Sequence, residues 1–353
     1  MSARDDFARD NLDRLYAITP ENALRRGDRL VIFSDLHMGN GGRTDDFARN
    51  AELFSQVLQT YYLAGGHSLV LNGDIEELQR FRLMDIMRRW APIYQLFEQF
   101  RTRDRLHRLV GNHDMELLTR SDHGFAVGHA LRYRYNGNPL FVFHGHQTLR
   151  WFVNYNGLVG FTLRYLANPL RIHSPSVAHD SRKRFRTEAQ VYSFAAANRV
   201  LTMIGHTHRP LFQSMSKVDN LRFEIERLCR KYPKASEKKQ KSIETVVAAY
   251  RSELARVRAD RRHSDDASLY DANLLIPCVF NSGTVIGKRG MTCLEIEDGE
   301  IALVHWFDDR RSTRHLRRGA GTAIPGTTYH RVEIKRESLD YIFARINLLT
   351  GTD

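Results

Sequence analysis

Short apolar stretches recur along the chain, and five of them stop at side chains able to bind a metal. Leu30-Val31-Ile32-Phe33 runs into Ser34-Asp35-Leu36-His37, and Leu69-Val70-Leu71 into Asn72-Gly73-Asp74. Leu106 to Val110 ends in Gly111-Asn112-His113-Asp114, and Leu140-Phe141-Val142-Phe143 in His144-Gly145-His146. Val200 to Ile204 runs into Gly205-His206-Thr207-His208-Arg209-Pro210. An unbroken apolar run such as residues 30–33 is the pattern of a strand buried on both faces of a sheet. Residues 4–26, 47–62 and 81–103 instead repeat apolar positions at helical spacing. Val279-Phe280-Asn281-Ser282-Gly283 predicts a further strand, and residues 291–296 and 301–307 a hairpin turning at Asp298-Gly299. Leu339, Ile342, Phe343, Ile346 and Leu349 mark a terminal helix that packs on the body or on another protomer. The pattern is α/β. Ligands of open α/β sheets bind beyond the carboxyl ends of the strands, so the five polar ends are expected to meet on one sheet edge.

Composition narrows the class. With 42% hydrophobic residues the 353-residue chain can bury a core of one large or two smaller domains. Only three cysteines occur, Cys229, Cys278 and Cys293, with no paired spacing, which disfavours a disulfide framework and fits a reducing compartment. The N-terminus is polar, with no apolar signal core, and no stretch of about 20 apolar residues could span a bilayer. A cytoplasmic location is expected. The net charge of +12 favours an anionic partner, whether phosphate-bearing substrate, nucleic acid or membrane surface.

The ligand candidates are Asp35, His37, Asp74, Asn112, His144, His206 and His208. Mixed imidazole and carboxylate donors suit Mn, Fe or Zn better than Mg or Ca, and the lack of thiolates disfavours a closed structural zinc site. Seven donors are too many for one ion, whereas two ions sharing a carboxylate would use them all. Ions about 3.5–4 Å apart form the clamp used for in-line displacement at phosphorus. Asp35-x-His37, Gly73-Asp74, Gly111-Asn112-His113-Asp114, His144 and Gly205-His206-x-His208 resemble, in order and spacing, the calcineurin-like metallophosphoesterases. The resemblance covers about residues 29–212 and the Asn281-Ser282-Gly283 strand. It implies an α/β/β/α two-sheet sandwich with helical insertions. It also implies that Asp35, His37 and His208 hold one ion, that Asn112, His144 and His206 hold the other, and that Asp74 bridges them. A hydroxide between the ions would attack phosphorus, while His113, oriented by Asp114, protonates the leaving oxygen. Arg209 could neutralise phosphate charge or cap its loop. His146 could replace His144 as ligand, touch substrate or fill the loop. His123, His129, His173, His179 and His263 carry no motif.

The expected divisions are an N-terminal helical segment (1–28), the core (29–212) with a cap insert at about 147–195, a charged helical hairpin (213–271), and closing strands with a terminal helix (272–353). Within the insert, an apolar aromatic stretch at 151–163 lies between Arg150 and Arg164, and a basic cluster follows at 182–186. These could line a greasy cleft, meet a membrane interface or simply pack on the body. The insert and the Gly-His-Thr-His-Arg-Pro ending look like UDP-2,3-diacylglucosamine pyrophosphatases, which hold acyl chains in such a cap. This chain is longer than those enzymes and has His113 where they commonly have Arg. The expected function is hydrolysis of a phosphodiester or diphosphate attached to a lipid or nucleotide. A nucleotide phosphodiesterase or nuclease, a protein phosphatase, and a non-catalytic scaffold on the same fold are the alternatives. The hairpin's basic excess leaves nucleic acid, anionic lipid or a second subunit as partners, or a solvated face with none.

Overall fold

The computed structural model describes residues 3–149, 181–214, 221, 225, 228–229, 232–263, 276–311 and 321–350. The chain divides into two compact units, residues 1–212 with 278–353, and residues 213–277. The strands are β1 (Glu21–Ala23), β2 (Leu30–Phe33), β3 (Ser68–Asn72), β4 (Leu106–Leu109), β5 (Ala130–Tyr135), β6 (Asn138–Phe143), β7 (Leu201–Ile204), β8 (Val279–Asn281), β9 (Met291–Glu297), β10 (Glu300–Asp308), β11 (Thr322–Ala323) and β12 (Tyr329–Ser338). They form a seven-stranded sheet, β11-β12-β10-β9-β2-β3-β4, and a five-stranded sheet, β1-β5-β6-β7-β8.

β2, β3 and β4 run parallel, as do β6, β7 and β8. The five polar strand ends therefore come three from the seven-stranded sheet and two from the five-stranded one, not from one sheet edge as the residue pattern alone suggests. Side chains tie the two sets together. The Asn72 amide donates to Phe143 O at 3.1 Å, joining β3 to β6, and the Ser34 and Ser282 hydroxyls meet at 2.7 Å, joining β2 to β8. The mixed α/β architecture with two sheets is that of the two-sheet sandwich.

The helices of the first unit are α1 (Ala3–Ile18), α2 (Ala51–Val57), α3 (Leu83–Arg89), α4 (Ala91–Arg101) and α5 (Ser181–Ala197), with one more near the C-terminus, Leu339–Leu349. The stretch 4–26 is helical only to Ile18, because Pro20 disfavours helical backbone at Thr19. Residues 21–23 instead pair in parallel with β5. The stretch 81–103 is broken at Trp90, because Pro92 opens α4 and cannot continue α3's hydrogen bonding. β5 has no apolar run, since Arg132 and Arg134 alternate with buried tyrosines and pair with Glu21. The insert residues 150–180 lie outside the described residues. In the second unit the helix Glu237–His263 is described, and Leu221 packs against Tyr250 and Leu254. The rest of the expected hairpin's first arm lies outside the described residues. No described helix is long and apolar enough to cross a membrane.

The core below the seven-stranded sheet is aromatic, with Phe33, Phe54, Tyr62, Phe97 and Trp306 fully buried. It also holds a buried ion pair. Arg108 Nη2 on β4 lies 2.7 Å from both Glu76 oxygens, and Tyr94 donates to Glu76 at 2.6 Å. Glu76 follows the β3 loop by two residues, so this pair pins that loop to β4 and α4. Breaking a buried pair strands its partner's charge, so Arg108→Ala should cost about 3–5 kcal/mol of unfolding free energy, while replacing both with apolar residues should cost less. Denaturant titration of the two variants in chelator checks the order.

Candidate metal centre

The loops leaving the strands take unusual backbone paths. Asp35, His37, Asp74, His206 and His208 have φ of 54°, 47°, 54°, 64° and 53°. Left-handed backbone costs an L-residue roughly 1–2 kcal/mol, so neighbouring loops must hold these turns in place. They do so by exchanging main-chain hydrogen bonds: Asp35 N to Gly73 O (3.1 Å), His37 N to Asp74 O (2.9 Å) and Gly205 N to His144 O (2.9 Å). Two glycines make room. Gly73 has φ +80°, and a Cβ there would stand 2.6 Å from His144 Nδ1. A Cβ on Gly111 would stand 2.0 Å from Asp74 Oδ1.

The two buried aspartates divide their oxygens. Asp35 Oδ2 accepts the His206 N–H at 2.9 Å and the Ser34 hydroxyl. Its Oδ1 has no hydrogen-bond partner and lies 3.1 Å from His208 Nε2, 3.9 Å from His37 Nε2 and 4.0 Å from His144 Nε2. Asp74 Oδ1 accepts the His113 N–H at 2.8 Å, and Oδ2 lies 3.1 Å from His144 Nε2 and 3.9 Å from His37 Nε2. Burial would raise both carboxyls, but His208 and His144 outweigh it at Asp35, bringing it to about 2, and His144 and His113 lower Asp74 well below its usual range. His144 Nδ1 donates to Asn72 O at 2.7 Å, which leaves Nε2 the lone pair in the neutral ring.

Among the described residues, donor atoms cluster as Asp35, His37 and His208, as Asp74, His144 and His206, and as His37, Asp74 and His113, each set within 4.8 Å. Asp35 Oδ1, Asn112 Oδ1, His144 Nε2 and His206 Nε2 are all buried without a hydrogen-bond partner. Buried polar atoms are rarely left unpaired, and lone pairs on carboxylate, amide and imidazole atoms suit divalent cations. These clusters can hold metal ions.

Two expectations about neighbouring residues change. Asp114 does not orient His113: its oxygens accept the N–H groups of Ile75 and Gly111, each at 2.6 Å, so it braces the loop. Glu77 takes that part, with Oε1 2.8 Å from His113 Nδ1 and Oε2 2.9 Å from His37 Nδ1. Burial works against the charged His113 ring, yet Asp74 and the Glu77 hydrogen bond lift it to about 9. Arg209 is bound to Glu188 of α5, with Nη2 at 2.8 Å from Oε2. His146 is buried 5.4 Å from the His144 ring, outside the donor clusters, and burial pushes its pKa well down. His123 bonds to Leu117 O at 3.1 Å and serves its own loop. Glu77 and Glu188 were not evident from sequence. The only signal for Glu77 is a carboxylate three residues after Asp74, and nothing marks Glu188.

Five polar strand ends, two interlocked aspartates and convergent imidazoles define a metal-dependent hydrolase of phosphate esters. A model of the calcineurin-like phosphoesterase family matches residues 28–230, more than half of the chain, and the chain belongs to that family. No curated protein matches it.

Close approach at Gly111 predicts that Gly111→Ala displaces Asp74 and lowers metal stoichiometry in the purified protein. Gly137→Ala, at φ +82° with nothing within 4 Å of the added Cβ, should cost only backbone strain of about 1–2 kcal/mol and keep its metal. Metal analysis after dialysis, beside thermal melts, separates the two.

Proposed function

We propose that the chain hydrolyses a phosphodiester or diphosphate using two divalent ions, most simply Mn. Asp35, His37 and His208 would hold one ion, Asn112, His144 and His206 the other, and Asp74 would be shared. The observation that carries this reading is the set of donor clusters around Asp35 and Asp74, with lone-pair atoms left unpaired. Bound there, the ions supply Lewis-acid charge at phosphate and lower the pKa of a water nucleophile. The chain's own groups hold and orient. Asn72 fixes the His144 tautomer, and Glu77 fixes those of His37 and His113. Carboxylate-backed imidazoles of this kind keep their far nitrogen aimed inward. His113, held at Nδ1 by Glu77 and with Nε2 4.0 Å from Asp74 Oδ2, would give its proton to the leaving oxygen.

For the substrate we propose a diphosphate or diester carrying an apolar or nucleotide group, with UDP-2,3-diacylglucosamine as the specific candidate. This rests on the Gly205–Pro210 motif and on the length and composition of the insert before it. It goes with action in the cytoplasm at a membrane face. Steep weakening of binding with salt would point instead to a nucleic-acid substrate.

Chelator should abolish hydrolysis of an aryl phosphodiester, and added Mn should restore it; activity that survives in metal-free protein overturns the reading. His113→Ala should keep full metal content and lose roughly 10²–10⁴ in turnover. A parallel loss of metal would make His113 a ligand.

A further inference from the structure

We propose that Glu188 is a positioning residue for the metal centre, acting through Thr207 and Arg209 on the loop that carries His206 and His208. The inference rests on the ligand assignment proposed above.

The loop is under strain at both histidines, φ 64° and 53°, only two residues apart. Such backbone persists only where surroundings over-determine it. Two restraints come from strand ends. Asp35 Oδ2 accepts the His206 N–H, and Asn281 Nδ2 donates to both Gly205 O and Thr207 Oγ1, each at 2.9 Å. The third comes from α5, a separate element. A threonine hydroxyl has one proton. Since Asn281 donates to it, the Thr207 hydroxyl gives its own proton to Glu188 Oε1, at 3.0 Å. Arg209 Nη2 then donates to Glu188 Oε2 at 2.8 Å. The result is a directed chain, Asn281 to Thr207 to Glu188, closed by Arg209.

Thr207 is fully buried and Glu188 is 2% exposed. A buried carboxylate is costly unless paired, and Arg209 supplies the pairing charge from the same loop that Glu188 restrains. His206 belongs to the cluster with Asp74 and His144, and His208 to the cluster with Asp35 and His37. One clamp at Thr207 therefore sets a donor in each half of the centre. The adjoining Thr187 reaches the other loop of the second cluster: a Cβ on Gly145 would lie 3.7 Å from its Cγ2. Arg209 completes the clamp from the position after His208.

The test is Mn²⁺ affinity, measured by competition with a chelating dye in Glu188→Ala, Glu188→Gln, Thr207→Val and the Glu188→Ala/Thr207→Val double variant. Denaturant stability in chelator is recorded alongside. Positioning predicts about 10–100-fold weaker Mn²⁺ binding in Glu188→Ala and in Thr207→Val, at temperatures where each is fully folded. The double variant should be no weaker than the worse single one. Glu188→Gln, which keeps an acceptor oxygen for Thr207, should recover most of the affinity. Folded variants that lose stability but bind Mn²⁺ within about twofold of the parent overturn the proposal. If Glu188→Ala does not fold, Thr207→Val and Glu188→Gln decide by the same criteria. A parent chain that binds no divalent ion overturns the ligand assignment itself, and the clamp with it.

Discussion

The centre depends on one device: each of two buried aspartates gives one oxygen to a neighbouring loop and the other to the imidazoles. Asp35 holds the His206 N–H with Oδ2, and Asp74 holds the His113 N–H with Oδ1. Locking the loops and assembling the donors are thus one interaction. Five of the candidate ligands sit in left-handed backbone, which at about 1–2 kcal/mol each sums to roughly 5–10 kcal/mol. That is comparable to the net stability of a whole domain, about 5–15 kcal/mol. The strain is tolerable because the two sheets on which the loops stand are packed by fully buried aromatic and aliphatic side chains.

The same crowding sets the electrostatics. Asp114 faces two backbone N–H groups, which should lower its pKa. Burial, followed by the charges of Asp74 and Glu76, lifts it to about 7 instead. His144 is likewise carried to about 9, although burial opposes its charge. Burial is the first cause at Asp114, whereas the His144 shift reports the negative potential of Asp74 and Asp35. A cation relieves it, and a phosphate group is drawn to the site only once one has done so.

How much of this was legible in the sequence follows from where each function is encoded. Ligand motifs end apolar strands, so Asp35, His37, Asp74, Asn112, His144, His206 and His208 could be picked out as a set from local pattern. β5 was not legible as an apolar run because its arginines face Glu21 across a partly solvated edge. Its Asn136-Gly137 turn, with φ of 47° and 82°, was the available hairpin signal. Strand ends do not reveal which sheet they belong to, and only the resemblance implied two sheets. Glu77 and Glu188 act through contacts that the fold creates. Glu188 stands 19 residues from Thr207 and reaches it from a helix with no motif of its own.

Four buried or nearly buried carboxylates around the centre form a graded series. Asp114 spends both oxygens on backbone N–H groups and belongs to the fold. Asp35 and Asp74 divide theirs. Glu77 spends both on imidazoles, one on a candidate ligand and one on the candidate acid. The position of a carboxylate in this series determines what its amide analogue would disturb. At Asp114 an amide puts N–H against N–H and opens the loop. At Asp35 and Asp74 it can keep the loop bond through its oxygen only by turning its NH₂ toward the imidazoles. At Glu77 one imidazole keeps an acceptor and the other meets a donor, so that ring bonds only as its Nε2–H tautomer and loses the Nε2 lone pair. Glu77 therefore holds a candidate ligand and the candidate acid at once, while contributing no atom to the donor clusters.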